Sequence, residues 1–321
     1  MAVFDMTDAL TLLELANRSN GKNLLPIANV LSEENRILED MPWVMSNKQT
    51  SHIITRAQYE PPGSWSQINR GVPSEAGRTI QVEEYMGSLE SYSNVDDRLI
   101  RLAENKRRAR SDEDMLHVRG MYKNFVENIV YGALADEARS FDGLATRRDS
   151  IGTNCYDNGG SGSDLTSLWI VQWGRQRVHG IYPKGSSGGI RMEDLGLRTK
   201  EVSGEGEYQV WKTHFEVTGG IAVHDERSLK RIANIETSGS TDIFDHDLLI
   251  QALIDLPDSG QGAVIYVNKT LMAQMVSNAV NKTNVQYTMD QPYGNKPPLV
   301  RFMGYPVKLV EQIVDTEDAV S

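Results

Sequence analysis

The sequence predicts an α+β protein, and three stretches carry that prediction. Residues Ser111–Arg139 place apolar side chains at helical spacing over an unusually long run. Two strand-like segments with a turn-rich connection precede that run. Short strands and helices then alternate without a fixed period, so the chain is neither a repeat array nor a regular βαβ protein.

Composition narrows the classes. The 321 residues suffice for one large domain or two ordinary ones. Lys and Arg number 33 against 44 Asp and Glu, a formal charge of −11. Tight general binding of nucleic acid needs clustered cations, so this acidic chain is a poor candidate for it, although it could still enclose nucleic acid without gripping it. Hydrophobic residues make up 39%, and the mean hydropathy is −0.43, so much surface must be polar or covered by partners. Cys155 is the one cysteine, which excludes an intrachain disulfide framework. No apolar run approaches the roughly 20 residues that span a bilayer. Met1–Asn20 is an acid-bearing amphipathic helix pattern, unlike a signal peptide.

Taken in order, Met1–Leu38 reads as an arm. A first helix capped by Asp5 or Thr7 carries Leu10, Leu13 and Ala16 on one face, and Asn20-Gly21 ends it. Pro26 starts a second short helix. Both are too short to stand alone in water. Ser51–Tyr59 and Arg78–Met86 are the strands of a hairpin, joined by a long tip from Glu60 to Gly77 that is rich in turn formers. Two strands alone are marginal, so this hairpin must lie against something.

Tyr92–Arg110 links hairpin to helix and carries the basic run Lys106, Arg107, Arg108 and Arg110. Ser111 is the expected helix cap, with Asp112, Glu113 and Asp114 in the first turn, where the macrodipole favours negative charge. Tyr122, Phe125, Val126 and Ile129 are its expected core residues. Arg139 lies in the last turn and Gly143 just beyond is the expected stop. Such a helix is about 42 Å long at a rise of 1.5 Å per residue. Gly120 and Gly132 each cost about 1 kcal/mol against alanine, so packing must hold it.

Leu168–Gly174, Val178–Tyr182, Tyr208–Val217 and Ile221–Val223 read as strands, and Leu229–Ile235 as a strand or a short helical turn. Asp245–Leu256 is a helix capped by Asp245 and stopped by Pro257. Ala263–Val267 is a buried strand, and Lys269–Val280 another helix. Val285–Met289, Pro298–Phe302 and Lys308–Val314 are late strands, and Asp315–Ser321 is expected to fray.

No catalytic constellation stands out. His214, His224 and His246 lie near Asp225, Asp245 and Asp247, but without metal-ligand spacing, and ordinary surface and cap roles suit them better. Asp157–Asp164 fails as a calcium loop, because Gly159 holds the third position and Leu168 the twelfth. The turns at Gly185–Gly189 and Gly204–Gly206 lack a phosphate-loop pattern. Ser161, Ser186 and Ser187 have no nucleophile elbow, and Cys155 has no basic sequence neighbour. Neither a cofactor nor a metal is expected.

Element order, together with several short motifs, carries a resemblance. The motifs are Phe141-Asp142-Gly143-Leu144, Ser167–Gly174 (SLWIVQWG), Gly180–Gly185 (GIYPKG), Gly219–Asp225 (GGIAVHD) and Gly304–Lys308 (GYPVK). In this order the chain resembles the major capsid proteins of tailed phages, with the Hong Kong 97-like fold, and more narrowly those of short-tailed phages. The likeness runs over nearly the whole chain.

The resemblance implies an N-terminal arm over 1–48, an extended E-loop over 49–91, and a peripheral-domain spine helix within 92–142. It further implies axial-domain segments over 143–200 and 241–302, a peripheral sheet over 201–240, and a C-terminal strand and tail over 303–321. The implied function is geometric: self-assembly of hexamers and pentamers into an icosahedral shell around double-stranded DNA, without catalysis. Implied partners are further copies of the chain, a scaffolding protein, a portal protein and a decoration protein, with assembly in the host cytoplasm and no membrane. Arg56, Tyr59, Trp65, Arg70 and Arg78 become candidates for contact between subunits, and Lys106, Arg107, Arg108 and Arg110 for weak contact with DNA.

Two departures from the founding member matter. No lysine occurs between Lys48 and Lys106, so a lysine-mediated cross-link from the loop is not expected. The stretch before the hairpin is too short for a fused scaffold segment, so a separate scaffolding protein is expected. An encapsulin-like compartment and a soluble α/β enzyme with a dispersed site are the rival readings.

Overall fold

The computed structural model describes residues 19–20, 23–24, 36–137, 139–186, 189–202, 204, 206–239, 241–281, 287–290 and 299–321. The arm helices expected after Asp5 or Thr7 and at Pro26 lie outside the described residues, as do parts of the expected late strands. Along the chain run β1 (Ser19–Asn20), β2 (Asn23–Leu24), α1 (Arg36–Asp40), β3 (Trp43–Met45), β4 (Ser51–Tyr59), β5 (Arg78–Tyr85) and β6 (Gly87–Asp96). Next come α2 (Asp97–Leu102), α3 (Lys106–Tyr131), β7 (Cys155–Asp157), β8 (Leu165–Gln172), β9 (Val178–Tyr182), β10 (Ile190–Val202), β11 (Gly206–Val223) and β12 (Leu229–Glu236). The last are α4 (His246–Ile254), β13 (Ala263–Val267), α5 (Lys269–Asn281), β14 (Tyr287–Asp290), β15 (Leu299–Phe302) and β16 (Tyr305–Leu309).

The chain forms two units. One comprises Met1–Asn35, Ser88–Glu127 and Ser187–Thr218; the other comprises Arg36–Gly87, Asn128–Ser186 and Gly219–Ser321. In the first, β10 and β11 form a long antiparallel ladder from Ile190↔Val217 to Val202↔Gly206, and β6 also pairs with β11. Asp96 caps α2 by accepting from the Arg98 N–H, and Val95, Leu99 and Ile100 pack with Trp211 into a small core.

The second unit holds a seven-stranded sheet in the order β14-β15-β16-β13-β8-β12-β7. Its centre is antiparallel, with β8 between β12 and β13, while β16 and β7 add in parallel. One face packs on α4 and α5: Leu168, Ile170, Ile232, Ile265 and Val267 meet Leu249, Ala252, Leu253, Leu271 and Met275. All eight residues of β8 are buried. A smaller ladder joins Gly220–Val223 to β9, whose other edge takes β3 in parallel. Gly220 is required there, because a β-carbon would lie 2.6 Å from the Tyr85 carbonyl oxygen.

Several expectations need correction. The long helix starts at Lys106, not Ser111, because Asn105 is its cap and accepts from the Arg108 N–H at 3.1 Å. The basic run therefore forms the first turns of the helix. The helix ends at Tyr131, not Arg139. Residues 143–145 return across its end, and the N–H groups of Gly143, Leu144 and Ala145 take the carbonyls of Gly132, Ile129 and Val130 at 2.7–2.9 Å. Gly143 thus acts as part of the stop, although twelve positions beyond the last helical residue. Its 26 residues make a rod of about 39 Å. Phe125, Val126 and Ile129 are buried as expected, but Tyr122 is 39% exposed and is not a core residue.

Leu229–Glu236 is a strand, and it belongs to the seven-stranded sheet beside β8 rather than with Tyr208–Val217. Seven of its eight residues are buried, which suits a central strand and explains why alternation was missing from its sequence. Asp245 does cap its helix, accepting from the Asp247 N–H at 2.9 Å. Asp315–Ser321 does not fray. Glu317 is 8% exposed and pairs with Leu165 through both backbone groups, and Val320 bonds Asn234.

Candidate functional site

Among the described residues, the hairpin β4–β5 carries a long exposed stretch. It pairs from Ser51↔Tyr85 to Tyr59↔Arg78, with a register shift between Ala57 and Tyr59. From Ala57 to Gln81 every residue is exposed. At the tip, Trp65 is 105% and Ile68 92% exposed, large apolar surfaces with nothing on them. Such surfaces on a monomer mark an interaction site. Tyr59, Arg70 and Arg78 share this exposed stretch, and the Tyr59 hydroxyl reaches Glu75 at 3.4 Å.

Arg56 is placed differently. It lies at the foot of the hairpin, where its guanidinium donates to Glu226, to the Val223 carbonyl and to Glu84. Its two terminal nitrogens are therefore engaged within this chain rather than offered outward. Glu84 is 4% exposed and is also clasped by Arg147 through both oxygens, at 2.8 and 2.6 Å. Arg148 holds Glu226 from the other side at 2.8 Å. Bidentate Arg–carboxylate pairs of this kind fix orientation as well as adding energy. On the outer face of the foot, Lys48 and Ser51 both donate to Glu83, and these bonds hold its carboxyl below the usual range. Asn47 exchanges bonds with the Ile53 backbone, at 2.8 and 2.9 Å. Ile54 packs with Ile181, Ala222 and Met86 beneath the foot. The hairpin is thus firmly seated at one end and bare at the other.

The basic run is likewise divided. Lys106, Arg107 and Arg108 are exposed, and Arg108 lies 4.0 Å from Asp112 one turn on. Arg110 is engaged within its own unit: it bonds Asp194 and Thr213 and stacks over Trp211 at 5.1 Å. The Trp211 indole in turn donates to Asp97 at 2.9 Å and helps keep that carboxyl ionised. Sequence alone gave no sign of this, because Asp194 and Trp211 lie far along the chain.

A second network closes the seven-stranded sheet. Glu317 accepts from Arg231 at 2.8 Å, from the Tyr131 hydroxyl at 2.5 Å and from Ser167. Burial and the neighbouring carboxylate push the Tyr131 phenol well above its ordinary pKa, so it stays a donor. Arg231 also bonds Ser167 and the Arg148 carbonyl. Cys155 does have cationic neighbours in space, Arg148 and Arg231, but burial outweighs them and raises its thiol pKa, so it is no activated nucleophile. Among the described residues, no three His, Cys, Asp or Glu side chains are placed to hold a metal ion. No described helix is long and apolar enough to cross a membrane.

Comparison with known proteins gives a consistent picture. Residues 19–321 match the family model described as major capsid protein GP7. The structure of bacteriophage Epsilon15 derived by electron cryomicroscopy is 28% identical in sequence, with a TM-score of 0.70, over 100% of this chain and 99% of that one. The capsid of bacteriophage JBD30 aligns over 89% of this chain and 93% of its own at 11% identity, with a TM-score of 0.52, a likeness of fold. No curated protein sequence matches the chain.

Proposed function

The chain belongs to the major capsid protein GP7 family, a structural protein of the phage shell and not an enzyme, and from that premise we propose how its parts serve assembly. Copies of the chain associate as hexamers and pentamers into an icosahedral shell that encloses double-stranded DNA. The hairpin over 49–91 acts as the E-loop and lies across a neighbouring subunit. Its tip residues Tyr59, Trp65, Arg70 and Arg78 make that contact, while Arg56 secures the foot. Residues 1–48 act as the arm. The segments within 92–142 and 201–240 serve as the peripheral domain up to about Val223, with 229–236 reassigned to the axial sheet. The segments within 143–186 and 241–302 form the axial domain, with 303–321 completing it, while 187–200, the stretch of β10 paired with β11, goes with the peripheral domain.

The observation that carries this reading is the bare hairpin tip. Trp65 and Ile68 expose apolar surface that a neighbour's body would cover, which suits a subunit finished by assembly. Net acidity suits a container that must release its DNA, with Lys106, Arg107 and Arg108 as the remaining candidates for weak contact with it. A separate scaffolding protein guides assembly in the host cytoplasm, a portal protein occupies one vertex, and a decoration protein reinforces a shell without loop-lysine cross-links. Electron microscopy of the expressed chain with its scaffolding protein tests the reading: closed shells are expected, and a stable monomer under all conditions would overturn it. Val126→Pro, in the buried interior of α3, should yield no normal particles, since proline there costs about 3 kcal/mol or more.

A further inference from the structure

Three histidines meet at the foot of the hairpin, and the shell-forming role does not account for them. His52 lies on β4, directly across the ladder from Glu84 on β5. His179 lies on β9, and His224 just after β11. The His179 ring is 5.8 Å from that of His52 and 6.2 Å from that of His224. His179 is 1% exposed. Neither of its ring nitrogens has a partner in hydrogen-bond geometry, and the Gly174 backbone is the one group that favours its proton. The His52 ring is oriented by the Asn47 N–H, which donates to its Nδ1 at 3.2 Å.

We infer that His52, His179 and His224 form a proton-sensitive latch that seats the hairpin at neutral pH and frees its foot in mild acid. The charges facing the cluster make this follow. Glu84 on β5 acts on His52 and Arg56 on β4 acts on His224, and both belong to an ion-pair network with Arg147 and Arg148 from the turn after α3 and Glu226 from the turn after β11. Arg177, before β9, and Arg227 are taken up by Asp258 and Asp225 respectively. Three arginines therefore share two glutamates at the foot, an excess of one positive charge before any histidine is protonated. Glu84 and Glu226 already have their oxygens committed to those arginines. Protonated imidazoles would find no free carboxylate in the seated arrangement and would repel Arg56 and one another.

The direction of titration agrees. Burial lowers all three histidines, most strongly His179, which falls from 6.5 to about 4. His52 and His224 further depress His179, His224 depresses His52, and Arg56 depresses His224; Glu84 opposes at His52 and the Gly174 backbone at His179. A histidine with a lowered pKa in the seated form favours that form above its ordinary value. That preference is lost as pH falls from 6.5 towards about 4.

Hydrogen exchange of the full chain, corrected for intrinsic rates, tests this from about pH 7.5 to about pH 4.5. Protection of β4 and β5 should fall at least about tenfold across that range while β13 keeps its own. The variant His52→Gln/His179→Gln/His224→Gln should hold the hairpin's protection through the same range. His224→Gln alone, at a half-buried position, should move the transition to lower pH by a smaller step. Unchanged hairpin protection in the wild type, an equal loss in the single and triple variants, or simultaneous loss from β13 would each overturn the inference.

Discussion

The seven-stranded sheet and the β4–β5 hairpin are both made of β-strands, yet they are stabilised in opposite ways. In β8 and β13 every residue is buried; one face packs on the helices α4 and α5, and on the other Ser167 of β8 meets Glu317. In the hairpin, every residue from Ala57 to Gln81 faces outward. The sheet is complete within one chain. The hairpin is seated at its foot by ionic bonds and bare at its tip, where we propose that a neighbouring copy covers it. The contrast teaches that strand composition alone does not say whether a strand enters the chain's own core or stays bare.

Variants should separate the two regions by what they damage. Arg231→Leu leaves the Glu317 carboxylate buried without its cation, and should cost about 3–5 kcal/mol in denaturant unfolding of the isolated chain. Ile170→Ala, in the centre of β8, should cost about 3 kcal/mol by loss of apolar burial and cavity formation, read the same way. At the hairpin foot, Glu84→Gln removes the charge that Arg147 and Arg56 share. It should lower stability by about 1–3 kcal/mol and show first as faster hydrogen exchange in β4 and β5. At the tip, Trp65→Ala should change the isolated chain by less than about 0.5 kcal/mol, yet reduce the yield of closed shells seen by microscopy. If Trp65→Ala destabilised the chain as much as Ile170→Ala, the division between self-sufficient and partner-dependent strands would collapse.

Much of this was legible in the sequence because it depends on local pattern. The hairpin showed in its two strand-like segments and turn-rich tip, and α4 in its Asp245 cap. The buried positions Phe125, Val126 and Ile129 followed from helical spacing. What was not legible depends on contacts distant along the chain. The true end of α3 is set by residues 143–145 folding back on it, and a window around Arg139 contains no trace of that. Leu229–Glu236 looked ambiguous because burial on both faces erases the alternation that identifies a half-exposed strand. Arg56 and Arg110 looked like surface cations, since their partners Glu226 and Asp194 lie 170 and 84 residues away. The polar composition of Asp315–Ser321 suggested a loose end, because a single buried glutamate cannot be told from an exposed one until Arg231 is seen beside it.

The pairing of Arg231 with Glu317 also has a meaning in time. The two residues are 86 positions apart, and Arg231 is made first. At about 5–20 residues per second, a growing chain carries that arginine without its carboxylate for roughly 4 to 17 s. During that interval the edge of β8 at Leu165 also lacks the backbone groups of Glu317. The sheet is finished only once Glu317 has been made. A growing chain that has not yet reached Glu317 therefore carries an unfinished sheet, and the order of synthesis sets how long that sheet stays open.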